Sequence, residues 1–161
     1  MTVFGLAWAL VGVSGLTGSV PGRVVGYVLA AIVAMVVAVA ALRSPPGGTP
    51  RQALSRNPGR DFVLVNLAQT VLILVAVVVF VRVDRPVLIA PAACVVVGLH
   101  FLPLARIFGI PLYVSTGAIL LVAGVLGFAL FAAGASAVLV TVGFAAAVTL
   151  WGTSLLLPRY G

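Results

Sequence analysis

The chain has 161 residues, 63% of them hydrophobic and 7% charged, with a mean hydropathy of +1.35; an ordinary soluble domain carries roughly 25% charged residues. One core of this size cannot absorb so much apolar surface, so the excess must face lipid, which excludes a water-soluble domain and predicts a single membrane domain. The net charge of +7 does not mark a nucleic-acid binder, because the nine basic residues, all Arg, are scattered between apolar runs; such charge fits the topogenic signal of the positive-inside rule and an attraction to anionic headgroups.

A helix needs about 20 apolar residues to cross a bilayer, and six such windows follow one another along the chain. The first, about 2–20, begins without the basic segment of a cleaved signal peptide and is expected to be a retained span. It ends at Pro21-Gly22-Arg23, and the second window covers 24–42. There Gly26, Ala30, Ala34 and Ala38 recur every four residues and predict a helix-packing ridge, since small residues let backbones approach in lipid. Ser14 and Gly18, Gly15 and Ser19, and Ala123 and Gly127 repeat that spacing. Residues 43–61 form the longest polar stretch, too rich in Pro and Gly to be helical throughout. It is expected to be a cytoplasmic loop, with docking to anionic lipid or a partner as the sharper reading.

The third window spans 62–81 and closes at Arg82-Val83-Asp84-Arg85, after which Pro86 suits the first position of the fourth window, 86–105. Gly109 and Pro111 favour a tight connection to the fifth window, 112–133. The sixth covers 136–157 and is followed by Pro158-Arg159-Tyr160-Gly161. Runs such as 71–81 lack the period-two alternation of a barrel strand, so an all-α bundle of six transmembrane helices is predicted. With the N-terminus in the cytoplasm, Arg43, Arg51, Arg56, Arg60, Arg106 and Arg159 fall inside and Arg23, Arg82 and Arg85 outside, an excess that predicts both termini cytoplasmic. Trp8, Tyr27, Trp151 and Tyr160 are candidates for interfacial anchoring, with packing between helices as the alternative for the two tryptophans.

Polar residues inside the spans are the candidate site. Asn66, Gln69 and Thr70 have the i, i+3, i+4 spacing of one helical face. Asn66 is six residues from Arg60 and His100 six from Arg106, so both lie roughly 9 Å from the same membrane edge at 1.5 Å per residue. Tyr113, Ser115, Thr116, Thr149, Thr153 and Ser154 fall in the same half. Intramembrane polar groups face protein or a watery cavity, so His100, Asn66, Gln69, Thr70, Tyr113 and Thr116 are candidate ligand-binding residues. The bland alternative is hydrogen-bonded glue between helices. Pro103 lacks the amide that would bond the Leu99 carbonyl, which predicts a kink beside the single histidine. Cys94, the one cysteine, permits no intrachain disulfide and reads as a packing residue.

The segment Gly98-Leu99-His100-Phe101-Leu102-Pro103-Leu104-Ala105, followed by Arg106 and Tyr113, resembles a stretch of uncharacterised multi-pass bacterial inner-membrane proteins. The resemblance covers about one helix and a half and implies a bacterial inner-membrane setting, with no catalytic residue attached.

An enzyme is disfavoured, because the two carboxylates, Asp61 and Asp84, fall outside the spans at opposite predicted faces. No cofactor is expected, and one His with one Cys makes no conventional metal site. Two functions remain: a small-solute permease or channel with a polar cavity in its cytoplasmic half, or a scaffold or accessory subunit that binds a partner through helix faces and the Arg-rich loop. The expected partners are membrane lipids, with a homo-oligomer or another membrane protein possible and nucleic acid excluded.

Overall fold

The computed structural model describes residues 1–16, 19–43 and 57–157. They form six α-helices and no strand: α1 Thr2–Ser14, α2 Val20–Arg43, α3 Pro58–Arg82, α4 Ile89–Phe108, α5 Leu112–Ala132 and α6 Val138–Leu156, with a 3-10 turn at Pro86–Leu88 leading into α4. Five of the six are long and apolar enough to cross a membrane, which makes the chain a multi-pass membrane protein. Lipid leaves backbone amides and carbonyls no partner but their own helix, so even the β-branched run 71–81 is helical within α3.

The first helix departs from the expected window of 2–20. It stops at Ser14, where the Gly15 amide turns back to the Gly12 carbonyl. At 13 residues it is about 20 Å long, short of the hydrocarbon thickness. The next helix accordingly begins at Val20, through Pro21 and Gly22, rather than at residue 24. Likewise α3 begins at Pro58, inside the expected loop, because Pro is suited to an opening helical turn and Asp61 complements the positive end of the helix dipole. The remainder of that loop, 44–56, lies outside the described residues, as do Gly18, Arg159 and Tyr160.

Helix stops follow the chemistry of the left-handed turn. Gly134 (φ 72°) ends α5, with Ala135 N–H bonding the Leu130 carbonyl. Asp84 (φ 56°) does the same after α3, where Arg85 N–H bonds the Phe80 carbonyl at 2.8 Å. Both are Schellman closures.

The helices pack in the spatial order α2, α1, α6, α5, α4, α3, with α4 also touching α6. Sequence neighbours and the α1/α6 pair run antiparallel: Thr2 meets Ser154, Phe62 meets Phe108, and Thr116 meets Thr153. One end of the bundle therefore carries Met1, Arg43, Pro58 and Arg106, and the other carries Arg82, Asp84 and Gly134. The core is built by α1, α4, α5 and α6 around Val13, Cys94, Leu120, Val142, Ala146 and Leu150. No residue of α3 is buried, and that helix rests on α4 and the 3-10 turn.

Close approach depends on glycine. A Cβ on Gly98 would stand 2.8 Å from Leu121 N and 2.9 Å from the Gly117 carbonyl oxygen, and one on Gly143 would collide with the Gly12 backbone. The small-residue ridge of α2 faces α1: Ala30 clusters with Ala9 and Ala147, Ala34 is buried, Gly26 lies against Val13, and Ala38 is half-buried. Cys94 is fully buried and its thiol donates to the Leu120 carbonyl across the α4/α5 seam at 3.3 Å.

Candidate functional site

Because α3 leans chiefly on α4, it leaves a gap toward α1 and α6 in the half of the bundle that carries Met1. The gap is a cavity of about 200 Å³. Its polar wall consists of Asn66 and Gln69 from α3 and His100 from α4; its apolar wall is largely aromatic, with Phe4 and Trp8 from α1, Phe62 from α3 and Phe101 from α4. Leu150 of α6 and Val97 and Leu104 of α4 complete it, and Met1 stands at its margin.

Each polar side chain arrives there for a local reason. Asn66 and Gln69 are three residues apart on α3 and share the face turned to α4 and α1. His100 projects from the α4 face opposite them, its ring hydrogen-bonded to the Val65 backbone. Its Nδ1 is buried and has no hydrogen-bond partner. Leaving a buried polar atom unpaired typically costs about 1–3 kcal/mol, so such an atom on a cavity wall marks a place where something else supplies the bond. No hydrogen bond within the described residues occupies the side-chain amides of Asn66 or Gln69 either, and both face the same space. Among the described residues no charged side chain lines it.

The other three candidate residues are placed elsewhere. Thr70 is exposed and its hydroxyl donates to the Asn66 carbonyl at 2.9 Å. Gln69 and Thr70 are about 100° apart around the helix axis, and α4 meets the Asn66–Gln69 side. Tyr113 is buried behind the cavity wall, its ring edge-on to Phe101 at 5.5 Å between centroids. Thr116 is buried and paired with Thr153 at 2.7 Å. Ser115 and Thr149 donate to carbonyls of their own helices. The predicted polar layer is thus divided: one part lines a cavity, and the rest ties helices together or bonds back on itself.

Pro103 lies within α4, which runs on through it to Phe108. It lines a groove on the outer flank, away from the cavity. Trp8 lines the cavity, whereas the Trp151 indole N–H donates to the Thr2 carbonyl at 3.3 Å, so both tryptophans pack between helices. Tyr27 is exposed on α2.

Sequence reasoning missed the aromatic wall from α1. Phe4 and Trp8 sit four apart on one face, a signal compatible with any apolar contact, and only the antiparallel docking of α1 against α6 brings them opposite Asn66 and His100. Among the described residues no group of three His, Cys, Asp or Glu side chains converges as a metal site. Comparison with protein-family models, with curated proteins and with solved structures gives no match for this chain.

Proposed function

We propose that this protein is a small-solute permease or channel of a bacterial inner membrane, with Asn66, Gln69 and His100 forming its solute site. The observation that carries the reading is the buried, unpartnered His100 Nδ1 on the wall of a cavity that two further unsatisfied amides also face. A few convergent polar groups in an otherwise apolar pocket are the usual build of a small-molecule site. The side chains of the wall offer donors and acceptors but no charge, so a small neutral solute with both an apolar portion and a hydrogen-bonding group is the best match. His100 and the amides fix its polar end, and Phe4, Trp8, Phe62 and Phe101 cover its apolar part.

The reading is not enzymatic. Asp61 and Asp84 stand at opposite ends of α3, and neither lines the cavity, so no acid–base pair meets a bound solute there. The arginine distribution supports an orientation with both termini in the cytoplasm, which gives the solute site to the cytoplasmic half.

The test is flux. Proteoliposomes containing the wild-type chain should swell faster than empty vesicles in at least one of a panel of small neutral solutes, and His100→Ala, accumulated and folded to the same extent, should lose that increment. Unchanged swelling in His100→Ala would defeat the proposal.

One observation favours the alternative of an accessory subunit: α3 has no buried residue and rests chiefly on one neighbouring helix, as a helix awaiting a partner would. Crosslinking from α3 in native membranes that captures only lipid and this chain itself counts against that alternative.

A further inference from the structure

The outer side of the α3/α4 contact holds a second concavity, an open groove of about 810 Å³ on the flank opposite the cavity. Its walls are Leu64 and Val65 of α3, Leu102, Pro103 and Ile107 of α4, and Val114 of α5, with Asp61 and Arg106 as its charged groups. Asp61 belongs to the first turn of α3 and Arg106 to the last turn of α4. Those ends are level with each other, as the edge-on packing of Phe62 on Phe108 at 5.8 Å records. The charges therefore sit at the membrane edge while the apolar wall runs inward from them, an arrangement with the polarity of a phospholipid.

We infer that this groove is a phospholipid site selective for a headgroup bearing a primary ammonium beside its phosphate. Arg106 is exposed and, among the described residues, has neither ion pair nor hydrogen bond; its guanidinium is matched in shape and charge to a phosphate. Asp61 contributes a carboxylate to the same groove. A carboxylate has about four acceptor sites, so it accepts an ammonium N–H alongside any partner it already holds. The pair of opposite charges on one groove discriminates among lipids. A lipid with net negative charge gains Arg106 but brings no cation to Asp61, and a quaternary ammonium has no N–H to donate. The acyl chain lies along Leu102, Pro103, Ile107 and Val114.

Native mass spectrometry decides the matter, with the full chain released from nanodiscs made of equal parts phosphatidylethanolamine, phosphatidylcholine and phosphatidylglycerol. Retained phosphatidylethanolamine should exceed each of the others about tenfold, the effect of one charge-assisted hydrogen bond. Arg106→Ala should lower retention of all three. Asp61→Asn should keep binding but level the headgroup preference. Equal retention by the wild type, a preference for phosphatidylglycerol, or an unchanged Arg106→Ala overturns the inference. So does a lipid-free dimer whose groove is shielded by a second copy. Wild-type selectivity is itself decisive, so the inference stays falsifiable if a variant fails to fold.

Discussion

The hydroxyl oxygens of Thr116 and Thr153 lie 2.7 Å apart at the buried seam of α5 and α6. Each also has a carbonyl of its own helix in reach, Leu112 at 2.9 Å for Thr116 and Thr149 at 2.8 Å for Thr153. Two hydroxyls own two hydrogens, so at any instant one hydroxyl donates to the other and the recipient donates to its own backbone. Neither oxygen is stranded when its partner is removed. Thr116→Val and Thr153→Val should each cost about 0.6–2 kcal/mol, the range for an interhelical hydrogen bond in lipid. The double variant should cost little more than either single one. Reversible unfolding in detergent across the four-member cycle measures this coupling, and strict additivity would mean that the two threonines act independently.

The α4/α5 seam is set by backbone. Gly98→Ala puts a methyl group 2.8 Å from Leu121 N and 2.9 Å from the Gly117 oxygen. Backbone atoms cannot swing aside as a side chain does, so the helices must separate, with a loss of about 1–3 kcal/mol. Gly152→Ala in α6 meets nothing within 4 Å and should be neutral or stabilising by up to about 1 kcal/mol, as Ala replaces Gly inside a helix. Paired melting of the two variants reads the contrast.

Sidedness has its own test. Ser136 lies between α5 and α6 at the Arg82 end of the bundle, and Asn57 stands before α3 at the Arg106 end. With both termini cytoplasmic, Ser136→Cys reacts with an impermeant maleimide in intact cells and Asn57→Cys only after permeabilisation. Cys94 adds little background, being fully buried with its thiol on the Leu120 carbonyl. The opposite labelling pattern keeps the fold and inverts it in the membrane.

The helices were legible because lipid imposes one rule on every residue: apolar length between polar or Pro/Gly punctuation defines a span. The end of α1 was not, since the apolar run continues past Ser14 and the stop is a local turn at Gly15. Helix contacts were legible only in part. The four-residue ladder from Gly26 to Ala38 does face α1, but tight approaches occur at Gly12 with Gly143 and Gly98 with Gly117. Those pairs join different helices, and a pairing across helices has no spacing in sequence. Depth counting brought His100 level with Asn66, and the two do share a cavity. It also placed Tyr113 and Thr116 at the same depth, because depth fixes the level of a side chain and says nothing of which neighbour it meets.

His100 separates a binding role from a packing one by the sign of its effect on stability. A histidine kept for packing loses stability when replaced, because its bonds and contacts go with it. Here Nδ1 is buried without a partner, so His100→Leu removes an unsatisfied polar atom and keeps most of the apolar bulk beside a cavity with room for the new side chain, while it gives up the ring's bond to the Val65 backbone. An unpaired buried atom costs about 1–3 kcal/mol and an ordinary hydrogen bond returns about 0.5–1.5, so the balance should stabilise the isolated protein by less than about 1 kcal/mol. The same change strips the solute site of its central polar group, so flux should fall as stability rises, the trade expected where function rather than folding retains a costly residue. Unfolding in detergent and swelling of proteoliposomes are to be measured on the same preparations. A loss of stability in His100→Leu larger than one backbone hydrogen bond would mean that Nδ1 too is bonded within the folded protein, and the solute site would lose the observation on which it rests.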